Sequence, residues 1–250
     1  MRYLLAIIFI SILTAGFSQQ QFIQRGKITY ERKLGQFTLM ESIQQDGENM
    51  FWEEMKKVMP RIVTDSYVLD FNPEASVYRL EKENTDNKYF MPSLKPMDEA
   101  YTVQDFSVQL LTMKTAVFEK KYLIKDSLTK YQWKITGEVR QIAGFDCKKA
   151  IAKIADSVVV VAFYTDEILV KGGPESFNGL PGMIMGIAIP RLSLTLFATK
   201  IELNNAGAPL NIPVEKKPNY VRRKDVLGEV ATGTKQWGKQ SNLLQWIVSM

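Results

Sequence analysis

The stretch GGPESFNGLPGMIMGI, Gly172 to Ile187, decides how the rest of this chain is read. Gly172-Gly173-Pro174 opens a loop, and Asn178-Gly179 is a turn dipeptide. Leu180-Pro181-Gly182-Met183 suits a type II turn, because proline pre-sets φ at its second position and glycine tolerates a positive φ at its third. After the turn, Met183, Met185, Ile187 and Ile189 alternate with Ile184, Gly186 and Ala188. In a strand these residues fall on opposite faces, one bulky and one small. A small face admits a second backbone, a helix or a ligand. Two uses are therefore open. Gly172, Gly173, Pro174, Gly179 and Gly182 serve turn geometry in both. Phe177, Asn178, Leu180, Pro181, Ile184, Gly186 and Ala188 either feed a core strand or receive a ligand or partner.

Working outward, the neighbouring segments read as strands. Tyr122–Ile124, Tyr131–Val139, Cys147–Ile154, Val158–Tyr164, Met183–Ile189 and Leu192–Leu203 follow one another across short Gly, Asp, Ser or Pro turns. Short connections force antiparallel neighbours. Val158–Phe163 is apolar on both faces and reads as a central strand covered on each side. Nearer the N-terminus, Lys27–Leu34 alternates as a first strand, and Asn49–Met59 carries Phe51, Met55, Val58 and Met59 at helical spacing before Pro60. Tyr67–Phe71 and Val77–Leu80 flank the turn Asn72-Pro73-Glu74-Ala75. Pro92–Met113 fits loop, strand or helix. The expected fold is mainly β (α+β). Its centre is a large curved antiparallel sheet with one or two packed helices, since large antiparallel sheets curl; a closed barrel, a half-barrel and a sandwich all fit the pattern.

The ends differ from the middle. Residues 1–18 read as a signal peptide: Arg2 supplies the positive region, Leu4 to Phe17 the apolar run and Gly16-Phe17-Ser18 a small-x-small cleavage site. This predicts export to the periplasm or cell exterior. No cysteine stands near the cleavage point to take a lipid anchor, so a lipoprotein is not expected. Residues 19–214 are read as one β-rich domain, and residues 215–250 as a basic, amphipathic segment. That segment either docks on the sheet or makes a weak contact with an anionic membrane surface.

Composition excludes several chemistries. The chain has 250 residues, a formal net charge of +5, a single cysteine and no histidine. Ser-His-Asp and Cys-His catalysis and His-based zinc sites are excluded. Cys147 has no second cysteine to bridge, and a lone cysteine usually packs as a small hydrophobe. Met50, Met55, Met59, Met183 and Met185 lack Cys or His neighbours that would make them copper ligands. Leu-Pro-Gly leads into a strand, where a phosphate loop needs Lys-Ser/Thr and then a helix. No metal, cofactor or nucleic-acid partner is expected. Asp166 and Glu167, beside the Gly-rich loop, are the best-placed acids.

Three segments resemble the GLPGLI family of exported Bacteroidetes proteins. Gly179-Leu180-Pro181-Gly182-Met183-Ile184 matches the naming motif with Met in place of its second Leu. Ile142 to Ala150 looks like the family's I-x-G-[YF]-x-C-x-K-A segment, and Phe163 to Ile168 like its W-Y-T-x-x-I-P segment, followed by Gly173-Pro174. The resemblance covers about residues 115–205, and more weakly extends from residue 27. Phe163 stands for the usual Trp, Leu169 for the usual Pro, and Gly186 for an often acidic residue. The family carries no established activity, so the resemblance leaves function open. Taken together, these readings favour an exported, non-enzymatic binding protein. Its expected occupant is an apolar, lipid-like ligand or an outer-membrane protein partner. The alternatives are a carboxylate-dependent hydrolase of envelope glycans and a purely structural surface protein.

Overall fold

Alternating strands and short turns become one sheet in the computed structural model, which describes residues 23–44, 49–82, 84, 86–155, 157–203 and 209–250. The expected signal peptide lies outside the described residues. The strands are β1 (Gly26–Gly35), β2 (Ile62–Phe71), β3 (Ala75–Lys82), β4 (Tyr101–Asp105), β5 (Leu110–Val117), β6 (Lys120–Ser127), β7 (Lys134–Ile142), β8 (Phe145–Ile154), β9 (Val158–Thr165), β10 (Met183–Ile189), β11 (Leu194–Leu203) and β12 (Tyr220–Val221). Helices α1 (Gln36–Ile43), α2 (Asn49–Val58), α3 (Arg223–Gly233) and α4 (Lys239–Ser249) complete the described fold. The fold is mainly β, as expected. The order across the sheet is β12-β6-β5-β4-β3-β2-β1-β11-β10-β9-β8-β7, with β12 and β7 at open edges. Every pairing is antiparallel except the short β12–β6 pair.

Turn chemistry explains the local geometry. Between β2 and β3, the Asn72 carboxamide oxygen accepts the N–H groups of Glu74 and Ala75, at 3.0 and 2.7 Å, an Asx turn that closes the expected hairpin. The ambiguous stretch from Pro92 resolves into a short 3-10 turn, Pro92–Leu94, and the β4–β5 hairpin. Helix α1 was not legible in the sequence pattern. It buries Leu39, Met40 and Ile43, and its first residue, Gln36, is also buried. There Gln36 donates to the Pro60 and Lys88 carbonyls, both at 2.9 Å, and accepts from the Phe90 N–H at 3.0 Å. Helices α3 and α4 lay Val226, Val230, Leu244 and Val248 against Met113, Val117, Tyr122 and Ile124 of β5 and β6.

Curvature follows from two hydrogen bonds of one loop. The Gly172 carbonyl accepts from the Ile184 N–H of β10 at 2.9 Å, while the next carbonyl, Gly173, accepts from Gln104 of β4 at 3.3 Å. β4 and β10 are five strand steps apart in the sheet order. In a flat sheet they would lie about 24 Å apart, at about 4.8 Å per step. The sheet therefore wraps around the loop between β9 and β10, and its concave face is filled by the chain's own side chains. Phe177, Ile168, Leu180 and Ile184 of this segment join Leu39, Met40, Trp52 and Leu243 of the helices in one core.

Three expectations need correction. In the turn, the Gly182 N–H bonds to the Leu180 carbonyl at 2.8 Å and the Met183 N–H goes to Ile168 at 3.0 Å, so the type II closure is not made. The need for glycine is a close approach: a Cβ on Gly182 would stand 2.0 Å from the Thr165 carbonyl oxygen. In β10, the register with β9 slips between Ile184 and Gly186, leaving Met185 as an extra residue. This bulge reverses the side-chain phase, so Ile184 shares a face with Ile187 and Ile189, while Gly186 and Ala188 face the other way. Finally, β9 is an interior strand, third from the β7 edge, and is not covered at every position, since Val159 remains 39% exposed.

Candidate functional site

The Gly172–Gly182 loop is held rigidly. One side-chain nitrogen, Nε2 of Gln104, donates to the carbonyls of Gly173, Glu175 and Phe177 at 3.3, 3.1 and 3.3 Å. The Ser176 N–H donates to the Met250 carbonyl at 3.1 Å. The Ser176 hydroxyl meets the Tyr131 hydroxyl at 3.0 Å, and Trp133 donates its indole N–H to the Asn178 carbonyl at 2.8 Å. The sequence pattern places Tyr131 and Trp133 at the start of a strand. They instead precede β7 and brace the loop.

Most expected contact residues are interior. Phe177 is 0% and Leu180 1% exposed, and Asn178 and Ile184 are buried. Gly179 and Pro181 are exposed. Gly186 is closed off by the Phe197 ring, 2.5 Å from where its Cβ would be, and Ile142 follows at 3.2 Å. Arg140 stacks over Phe163 and Phe197, with its guanidinium carbon 5.6 and 4.9 Å from the ring centres. The loop and β10 thus spend their apolar side chains on their own fold.

The loop's polar side chain does something different. Glu175 stands at φ +55°, a conformation that few non-glycine residues adopt, and lines a cleft of about 450 Å³. The cleft also presents Arg32, Tyr67, Tyr78, Thr102 and Lys114. Arg32 projects from β1 beside its register partner Asp65 of β2, with Nη1 to Oδ2 at 3.2 Å. Asp65 is 2% exposed and also accepts from Asn87 at 2.9 Å and from the Tyr89 hydroxyl. Its charge is fully engaged. Tyr67 and Tyr78 stack with ring centres 5.0 Å apart and planes 4° from parallel. The buried Tyr78 hydroxyl has no hydrogen-bond partner.

Electrostatics set Glu175 apart. Burial pushes its carboxyl above the usual carboxylate range, against the pull of Arg32 and Arg223. Burial likewise pushes the Tyr78 and Tyr67 phenols up. The acids singled out from the sequence are different. Glu167 is exposed, and exposed Asp166 pairs with Lys148 at 2.5 Å, which holds it below its ordinary value. They do not enter the cleft; Glu175 does. Its signal was present in the quoted stretch, as an acid at a fixed place in a Gly/Pro-rich loop. Its partners lie on β1, β2 and β3 and could not be read from the sequence. Buried Cys147 has its thiol pushed up to about 12 by burial, as an inert core thiol. Among the described residues, no group of three or more His, Cys, Asp or Glu could hold a metal ion, and no helix is long and apolar enough to cross a membrane.

An open antiparallel sheet wrapped round a clamped loop, with a polar cleft beside that loop, defines the class of domain. The family described as "N-glycanase peptide, N-terminal domain" matches residues 71–220, and the chain belongs to that family. Solved structures of PNGF-II share the fold. Its C2 crystal form is 17% identical with a TM-score of 0.52, and covers 87% of this chain and 33% of its own. The P21 form gives 16%, 0.53, 87% and 34%. The chain thus spans about a third of the length of PNGF-II. No curated protein sequence matches it.

Proposed function

We propose that this chain is an exported envelope protein that recognises glycans through the cleft beside Glu175, without cleaving them. The observation that carries this reading is the cleft's lining. Arg32, Thr102, Glu175 and Lys114, the last paired with Glu99 and Glu215, place hydrogen-bonding groups of both senses next to the stacked Tyr67 and Tyr78. A polyhydroxylated ligand uses such groups. A lipid-like ligand at the loop would need the apolar side chains that are already buried in the core. Membership of an N-glycanase N-terminal domain family points the same way. The GLPGLI-like segments fit this assignment as structural signatures, since Leu180 and Gly182 set the loop that presents Glu175.

A second reading, hydrolysis, is favoured by one feature: a carboxyl kept protonated above its normal range is what a general acid needs. Paired-carboxylate hydrolysis also needs a second acid across the substrate. The other acids lining the cleft, Asp98 and Glu119, are exposed on its rim. Calorimetric titration of the protein with N-glycan-derived oligosaccharides, alongside an assay for released glycan, tests both. Saturable binding with no release is expected. Release that is lost in Glu175→Gln would establish the hydrolase, and absence of binding to any oligosaccharide would remove the glycan reading.

A further inference from the structure

A second cleft has a different chemistry. It lies where the chain enters β7 and β8 ends, and its volume is about 680 Å³, within the range of small-molecule sites. Its lining includes Lys130, Lys134, Lys153 and Arg223 and no Asp or Glu. The three lysines are exposed, and none makes an ion pair among the described residues. On the neighbouring part of β8, by contrast, Lys148 pairs with Asp166 and Lys149 with Glu138. Apolar residues line it too: Ile151, the register partner of Lys134, and from the opposite face of β8 the buried Ala152 and Ile154.

Arg223 adds an independent observation. It is 9% exposed. Its Nη1 donates to the Thr129 hydroxyl and the Ser249 carbonyl at 3.1 and 3.3 Å. Its Nε and Nη2 have no partner. Of the acids near it, Asp126 is occupied by Arg223's own backbone N–H at 3.1 Å, and Glu175, which feels its charge, makes no hydrogen bond or ion pair with it. A buried guanidinium with unused N–H groups is costly, and an oxyanion is the acceptor it is shaped for.

We propose that this cleft binds an anionic amphiphile: a hydrocarbon chain along Ile151, Ala152 and Ile154, with a carboxylate or phosphate among Lys130, Lys134, Lys153 and Arg223. The combination selects it over its parts. A free inorganic anion would leave the apolar lining uncovered, and a neutral apolar molecule would leave the cations without a partner.

Calorimetric titration of the full chain with dodecanoate and dodecyl phosphate tests this, with dodecyl maltoside and inorganic phosphate as controls. Saturable binding of both anionic amphiphiles is expected, at least tenfold tighter than either control. The variant Lys130→Glu/Lys134→Glu/Lys153→Glu, whose side chains are exposed and whose fold circular dichroism verifies, should lose at least tenfold in affinity. Co-sedimentation with anionic phospholipid vesicles separates the two sources: retention on vesicles means a membrane-resident headgroup, and binding of only the free amphiphile means a soluble ligand. Equal binding of dodecyl maltoside, or affinity unchanged in the triple variant, overturns the proposal, as does no binding at all. Glycan titration at the Glu175 cleft is unaffected by the triple variant, so the two sites fail separately.

Discussion

Leu180 and Glu175 belong to one loop, five positions apart, and the fold treats them in opposite ways. Leu180 is sealed among Phe177, Ile168 and Ile184 in the core that fills the wrapped sheet. Glu175 is carried on the same rigid backbone but turned into a cleft, with a positive φ and a displaced pKa. The apolar half of the loop holds the sheet closed around it. The polar half uses the rigidity thus created. Strained, desolvated side chains survive where the surroundings over-determine them, and here the clamp is Gln104 with its three carbonyl acceptors.

This contrast can be broken from the apolar side first. Leu180→Ala should cost about 2–5 kcal/mol of stability, the range for truncating a buried leucine, read by chemical denaturation. A change of under about 0.5 kcal/mol, the size of an ordinary surface effect, would put Leu180 back on the surface as a contact residue. Gln104→Ala comes next. It removes one donor shared by three carbonyls, those of Gly173 and Phe177 buried, so a loss of about 1–3 kcal/mol is expected. Faster hydrogen exchange confined to residues near 173–177 should accompany it. Uniform exchange across the sheet would show that Gln104 is not a local clamp.

From the polar side the sign reverses. Burial holds the Glu175 carboxyl above its ordinary value of 4.5, so on raising the pH the unfolded chain loses that proton before the folded one. Below the unfolded value both states are protonated and nothing is lost. As pH rises through that value and then the folded one, the wild type gives up stability, and above both the loss is complete. Glu175→Gln should therefore be more stable than wild type at pH 7, with the difference vanishing near pH 3. Denaturation midpoints at the two pH values check this, and a less stable variant at pH 7 would show the charge to be favourable in place. The smallest effect belongs to Asp166→Asn. Its ion pair with Lys148 is solvent-exposed, such pairs add little, and neither stability nor glycan binding should change measurably.

Legibility divides along the same line. The antiparallel neighbours from β7 to β11, the Asn72 turn and the Gly/Pro loop could be read because each depends on residues close in sequence. Helix α1 escaped because Phe37, Leu39, Met40 and Ile43 are too few to separate helical from strand spacing. The bulge at Met185 escaped because the alternation around it looks regular until the β9 partner is known. Glu175 escaped for a stronger reason. Its environment comes from Arg32, Tyr67, Tyr78 and Arg223, residues that only the wrapped sheet brings near it. Asp166 and Glu167 were favoured for standing beside the loop, yet the strand end turns them to solvent.

One loop separates scaffold from recognition. Measuring oligosaccharide affinity and thermal midpoint together in Glu175→Gln tests it most directly. The midpoint at pH 7 should lie at or above that of the wild type, with affinity reduced at least tenfold. Unchanged affinity with a lowered midpoint would contradict it, making Glu175 a part of the scaffold.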